Sequence, residues 1–216
     1  MKNTTQIIPL GDEALLVRFA FELDDSANQK VIEFANFLKT QDLPYVKEIA
    51  ASLVSVLVRY DNKKINFFNL SGLLRLALSK PIKTLKEKSQ THILEVNFDG
   101  EDLPQVAQLV GLSISEFIKQ HNSKPLRVLT TGFAPGFVYC GMHKKGLFVD
   151  RREQVRKSVA AGTVIFAAGQ SAITATSIPT GWHVIGRTDF INLDISKNPP
   201  TKIKAGDYIS FVSEKS

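Results

Sequence analysis

From Pro125 to its end the sequence is a run of short apolar, β-branched segments cut by glycine, proline and aspartate. Residues 126–131, 159–167, 173–176, 183–185, 191–195 and 208–212 each read as a brief strand. Many short strands so closely spaced predict a closed or nearly closed barrel. Two stretches interrupt the pattern: Thr131-Gly-Phe-Ala-Pro-Gly-Phe-Val-Tyr139 and Gly181-Trp-His-Val-Ile-Gly-Arg-Thr188. Both set glycines, which turn freely, beside large aromatics, and the first adds a proline, which stiffens the turn. The combination predicts a rigid, shaped cleft walled by Phe133, Pro135, Gly136 and Trp182.

The first part of the chain alternates differently. The order reads strand, strand, helix, strand, strand, helix. Over residues 25–40, Val31, Phe34, Ala35 and Leu38 recur at the spacing of one helix face. A second helix is expected over 70–79 and strands over 15–19, 46–49 and 52–60. Two helices on one face of an antiparallel sheet make a small α+β domain, placed at residues 1–85. The lysine-rich stretch 80–91, opened by Pro81, reads as a linker to the second domain, residues 86–216. That domain opens with a strand at 93–98 and two helices. One covers 102–110; the other starts at Ser113, where Glu116 gives the spacing of a capping box.

Composition narrows the function classes. With 44% hydrophobic and 22% charged residues the chain is ordinary globular protein. Its net charge of +6 permits anionic partners, but no block of consecutive lysines and arginines marks a nucleic-acid surface. The N-terminus lacks the apolar core of a signal peptide, and no apolar run has the length of a membrane span, so a cytoplasmic protein is expected. The single cysteine, Cys140, allows no internal disulfide, and the four histidines lack metal-ligand spacing, so no metal is expected. The stretch 136–141 has the first glycine spacing of a phosphate loop. It continues into Met142 and His143 rather than Lys and Ser/Thr, so the phosphate-gripping side chains are missing.

Individual side chains carry two readings each. Arg156 and Arg187 suit a carboxylate, or an ion pair at the barrel rim. Trp182 lines a pocket or fills the core. Gln170 offers an amide to a polar ligand or stabilises a turn. His121 is a general base, or a cation at a helix C-terminus. Cys140 reads as a small buried hydrophobe rather than a nucleophile.

Taken in order, Leu10-Gly-Asp-Glu-Ala-Leu-Leu-Val17, Gly132-Phe-Ala-Pro-Gly-Phe-Val-Tyr139, Val159-Ala-Ala-Gly-Thr163, Gly169-Gln170 and Gly181-Trp-His-Val-Ile-Gly-Arg-Thr188 resemble the family of the 5-oxoprolinase B subunit, the kinase inhibitor KipI and allophanate hydrolase subunit 1. The resemblance covers nearly the whole chain. It implies an α+β N-terminal domain, ferredoxin-like, followed by a mainly β, cyclophilin-like barrel domain. It also implies a hydrolase component that opens a cyclic amide, 5-oxoproline to glutamate. Its partners would be a KipA-like protein (the C-type subunit of such enzymes) and a larger subunit that binds the ATP, which this chain does not hold. In that reading Arg187, Gln170 and His121 are catalytic. Phe133, Pro135, Gly136, Arg156, Gly162, Thr163 and Trp182 bind substrate, with donors around Gly162, Thr163 and Gln170 facing a developing oxyanion. The rival reading is a KipI-like protein that docks on a sensor histidine kinase. No nucleic-acid or membrane partner is expected.

Overall fold

A computed structural model describes residues 5–80 and 89–214. The chain divides into two compact units, residues 1–88 and 89–216. Most of the stretch read as a linker lies outside the described residues.

The first unit contains β1 (Gln6–Pro9), β2 (Ala14–Arg18), α1 (Asp25–Lys39), β3 (Val46–Ala51), β4 (Ser55–Tyr60) and α2 (Phe67–Ser79). Its four strands form one antiparallel sheet in the order β1-β2-β4-β3. Strand β4 thus lies between β2 and β3, the two strands that α1 connects, which is a split β-α-β unit. The chain runs ββαββα, however, and not in the βαββαβ order of a ferredoxin-like domain. Alternate residues of β2 and β4 (Leu15, Val17, Val56, Val58 and Tyr60) face one way and meet Val31, Phe34 and Leu38 of α1 and Leu70 and Leu74 of α2. Asp24 caps α1 by accepting from the Ala27 N–H at 2.7 Å. Helix α2 starts three residues earlier than its apolar spacing predicts, because Asn66 caps it through the Asn69 N–H.

The second unit contains β5 (Thr91–Val96), α3 (Leu103–Leu109), α4 (Ile114–His121), β6 (Leu126–Thr131), β7 (Val138–Gly141), β8 (Arg156–Val159), β9 (Thr163–Ala167), β10 (Gln170–Ile173), β11 (Ile178–Thr180), β12 (His183–Arg187) and β13 (Tyr208–Ser213). Seven strands make one sheet, ordered β12-β9-β10-β7-β6-β13-β5. Its edges, β12 and β5, meet at a single antiparallel bridge between Asn97 and Arg187. Each residue's N–H donates to the other's carbonyl at 2.9 Å. Glycine makes this approach possible: a Cβ on Gly186 would lie 2.5 Å from the Asn97 carbonyl oxygen. The sheet therefore curls until its edges touch at one point.

Alternation along the strands sorts the side chains. Val138, Cys140, Val164, Phe166, Ile173 and Ile185 point inward, where they join Leu103, Val106 and Ala107 of α3 and Phe117 of α4. Ile165, Ala167 and Ala172 point outward and pack with Phe137 and Trp182 under Val159 and Ile178 of the β8–β11 ribbon. Four expectations need correction: the strand expected over 173–176 lies instead at Gln170–Ile173, and three more differ. The strand predicted over 159–167 is two strands, separated by a turn at Gly162. The stretch 191–195 is not a strand, whereas 138–141, read as loop, is β7.

Candidate functional site

The residues singled out from the sequence fall into three places. The first is the barrel interior. Helix α4 is capped as its Ser113/Glu116 spacing predicts, and its inward face carries Phe117 and, one turn on, His121. His121 is enclosed by the rings of Phe98, Phe117, Phe166 and Phe211. Its Nδ1 lies 2.7 Å from the Asn122 amide oxygen and its Nε2 2.8 Å from Ser171 Oγ. The amide oxygen can only accept, so His121 donates from Nδ1 and accepts the Ser171 hydroxyl proton at Nε2. Ser171 Oγ in turn accepts from His143 Nε2 at 2.9 Å. This chain, His143 to Ser171 to His121 to Asn122, has the polarity of a nucleophile–base–orienter relay. It is closed, however, since Ser171 is wholly buried and His121 nearly so. Burial lowers the His121 pKa to about 4 and pushes that of His143 well below its usual value, aided by the neighbouring His121 and Lys124. His121 is therefore neither an accessible general base nor a helix-end cation. It is a neutral core histidine. Cys140 is buried in the same interior, which raises its thiol pKa well above the usual range.

The second place is the barrel seam. Arg187, at the end of β12, pairs with Asp99 at 2.7 Å, and its side chain is 70% exposed. Trp182 precedes the start of the same strand and packs in the outer apolar cluster. Five residues of extended backbone, roughly 16 Å, separate the two. Trp182 and Arg187 therefore belong to separate places. The groove at Arg187 is lined instead by Ile93, Glu95, Asn97, Asp189, Phe190 and Glu214, among others.

The third place is the start of β12, on the side of α3. A cleft of about 600 Å³ is lined by Gln105 and Leu109 of α3, the loop from Phe148 to Gln154, and His183. Arg151 lies over the Trp182 ring, 5.9 Å from its centroid. Trp182 packs edge-on against Tyr139, and the row continues through Phe137 to Phe133. Beneath the cleft, the buried Asp102 binds Arg152 and Arg156 through one carboxylate oxygen. The other oxygen accepts from the Val184 N–H at 2.8 Å. Burial alone would raise the Asp102 pKa. The hydrogen bonds from Arg156 and Val184, with the two guanidinium charges, outweigh it and hold the carboxyl below its usual value. Three buried nitrogens in this neighbourhood have no hydrogen-bond partner among the described residues: Arg152 Nε, Arg156 Nε and His183 Nδ1. His183 donates from Nε2 to the Asp150 carbonyl at 2.9 Å, which leaves Nδ1 as a bare acceptor.

Arg156 is thus engaged by Asp102 and Glu101 rather than free for a carboxylate. Nor do Gly162 and Thr163 form an oxyanion site. Their N–H groups go to the Thr174 carbonyl and hydroxyl, and the Thr163 hydroxyl to Ala160. Gly136, at φ +70°, is wedged against Ala175 and Asn192, so its role is to fit the loop to its neighbours. Phe133 and Pro135 are exposed at the loop tip. Gln170 has a buried amide nitrogen with no partner among the described residues, but it sits one residue from Ser171 on β10 and so on the opposite face from His121. The sequence gives no sign of Asp102, Ser171 or His183 as site residues; Arg151 and Arg152 stand out within the basic stretch 144–157, which suits a carboxylate or phosphate, or a solvated face.

The chain matches the family model of the carboxyltransferase domain, subdomains C and D, over residues 5–203. It belongs to that family. Within it, the 5-oxoprolinase B subunit of Bacillus subtilis (strain 168) is 31% identical over 97% of this chain and 94% of its own length. The protein of the same name from Escherichia coli O157:H7 is 34% identical over 54% of this chain and 53% of its own. The crystal structure of TTHA0988 superposes with a TM-score of 0.82 at 26% identity over 95% of this chain, which spans about 40% of that longer one. The urea carboxylase of Kluyveromyces lactis shares the fold, with a TM-score of 0.80 at 18% identity over 98% of this chain and 22% of its own. The carboxyltransferase-domain fold therefore recurs both as a separate polypeptide and as part of much longer chains. No helix among the described residues is long and apolar enough to cross a membrane.

Proposed function

We propose that the chain is the B-type component of an ATP-dependent 5-oxoprolinase, which opens 5-oxoproline to glutamate only in complex with its companions. The observation that carries this reading is the likeness to the Bacillus subtilis 5-oxoprolinase B subunit across almost the full length of both chains. A lactam is a poor electrophile. Phosphoryl transfer from ATP to its oxygen makes it a good one; one water then attacks the ring carbon and expels the ring nitrogen, leaving an acyl phosphate, and a second water hydrolyses that to the carboxylate and phosphate. A partner subunit holds the ATP. On this chain the glycine-spaced stretch 136–141 is largely strand β7, paired with β6 and β10, and forms no phosphate cradle.

The cleft beside α3 is where this component meets the substrate. Arg151, exposed on the cleft loop, supplies a cationic group for the carboxylate. The Trp182 ring lies under the Arg151 guanidinium, 5.9 Å from it, and helps to hold that side chain in place. The test is glutamate formation from 5-oxoproline and ATP by the assembled subunits. Omitting this chain should abolish turnover; undiminished turnover without it would refute the assignment.

A second reading has one observation in its favour. Phe133 is held 71% exposed at φ +76°, at the tip of the aromatic row, as a docking residue would be. A KipI-like inhibitor would use that tip against a sensor histidine kinase. Inhibition of kinase autophosphorylation by the purified chain, lost in Phe133→Ser, would support it.

A further inference from the structure

We infer that the open part of the barrel seam accepts an extended strand from a companion subunit, paired to the free edge of β5. The inference rests on the reading that the chain works in a multi-subunit assembly. Strand β5 ends the seven-stranded sheet and, among the described residues, pairs along its length with β13 alone. Successive residues of a strand turn their N–H and C=O groups to opposite edges. Val96 points toward β13, with its carbonyl accepting from the Glu214 N–H at 3.0 Å. Asn97 points the other way and bridges to Arg187. Glu95 and Ile93, two and four residues before Asn97, therefore also point into the seam. No strand of the described residues lies opposite them there.

The structure leaves room at this place. Below the bridge, the segment from Asn97 to Asp102 closes the seam, with the Gly100 and Asp102 N–H groups donating to the Ile185 and Val184 carbonyls. Above the bridge the edges separate around a groove of about 640 Å³, with Ile93, Leu94, Glu95 and Asn97 on one side and the run from Arg187 to Phe190 on the other. An unpaired edge of this kind is a template for strand addition. The chemistry of the guest follows from the lining. Glu95, Asp189 and Glu214 are acidic, and the cation in that lining, Arg187, is already paired with Asp99. Ile93 is 70% exposed and faces outward with Glu95. The occupant is accordingly an extended segment with an apolar side chain beside Ile93 and a lysine or arginine two residues away, beside Glu95.

The test is amide hydrogen exchange, resolved by residue, on the full chain alone and assembled with the companion subunits of a 5-oxoprolinase. The Ile93 and Glu95 amides should exchange at least about tenfold more slowly in the assembly. Ile93→Pro removes an N–H that β13 does not use, so it should prevent assembly while leaving the chain's own melting unchanged. Glu95→Lys, a surface change, should weaken assembly about tenfold by charge reversal. An active assembly with both amides still unprotected would overturn the inference and leave the proposed function standing. So would normal assembly of both variants. Concentration-dependent protection in the chain alone would overturn it too, assigning the edge to a second copy instead. Failure of the subunits to assemble at all would sink both ideas.

Discussion

At the scale of single residues, one buried polar cluster is neutral and the other is charged. The His121–Ser171–His143 chain is stable because both rings stay neutral in an apolar interior. The folded-state pKa of His121 is about 4, against 6.5 as its ordinary value. Below pH 6.5 the unfolded chain takes up a proton that the native state refuses, so stability present at neutral pH is lost as pH falls toward 4. The difference amounts to about 3 kcal/mol for His121 alone. Denaturant midpoints should fall between pH 7 and pH 5, and His121→Gln should flatten that dependence; an unchanged slope would show that the ring is not titrating as described. Asp102 differs in that its carboxylate must be charged, not neutral, to hold Arg152 and Arg156; with its pKa lowered, its contribution too is lost as pH falls. Asp102→Asn leaves two partly buried guanidinium groups without their common anion and should cost about 3 kcal/mol in chemical denaturation. His121 and Arg156 were visible in the sequence as polar residues at structured positions. Their partners were not, because Ser171 and Asp102 lie 50 and 54 residues away and no local spacing links them.

At the scale of elements, local rules worked where local forces decide the outcome. The capping box at Ser113 and Glu116 is present, and the face of α1 is the one its apolar spacing marks. Ser113→Ala should lower stability by about 1 kcal/mol, read from the thermal midpoint. Legibility failed where the partner strand decides. Residues 138–141 looked like part of a glycine loop, yet hydrogen bonds from β6 and β10 on both sides make them a strand. Residues 191–195 look like a strand, but Asn192 uses its side chain to fasten Gly136, Lys202 and Ile203. The seam shows the same lesson. Gly186 reads in sequence as a turn residue, whereas its place in β12 is to let Asn97 come close. Gly186→Ala should open that contact and cost about 2 kcal/mol. Faster exchange of the Asn97 and Arg187 amides would report it.

At the scale of the whole molecule, the second unit forms a barrel with two open features. Its barrel touches edge to edge at one bridge, and its charged cleft and open seam are separate features of that barrel. Family membership and the domain's recurrence within longer chains fit a part that works against other parts. In the proposed function the cleft beside α3, and not the barrel interior or the Arg187 rim, holds the substrate. Steady-state kinetics of the assembled enzyme carrying Arg151→Ala test it most directly, with Arg187→Ala as the comparison. The account predicts that Arg151→Ala raises the KM for 5-oxoproline about tenfold or more, while the variant still assembles and Arg187→Ala changes KM little. Equal KM values for Arg151→Ala and the unaltered enzyme, or a rise confined to Arg187→Ala, would contradict it.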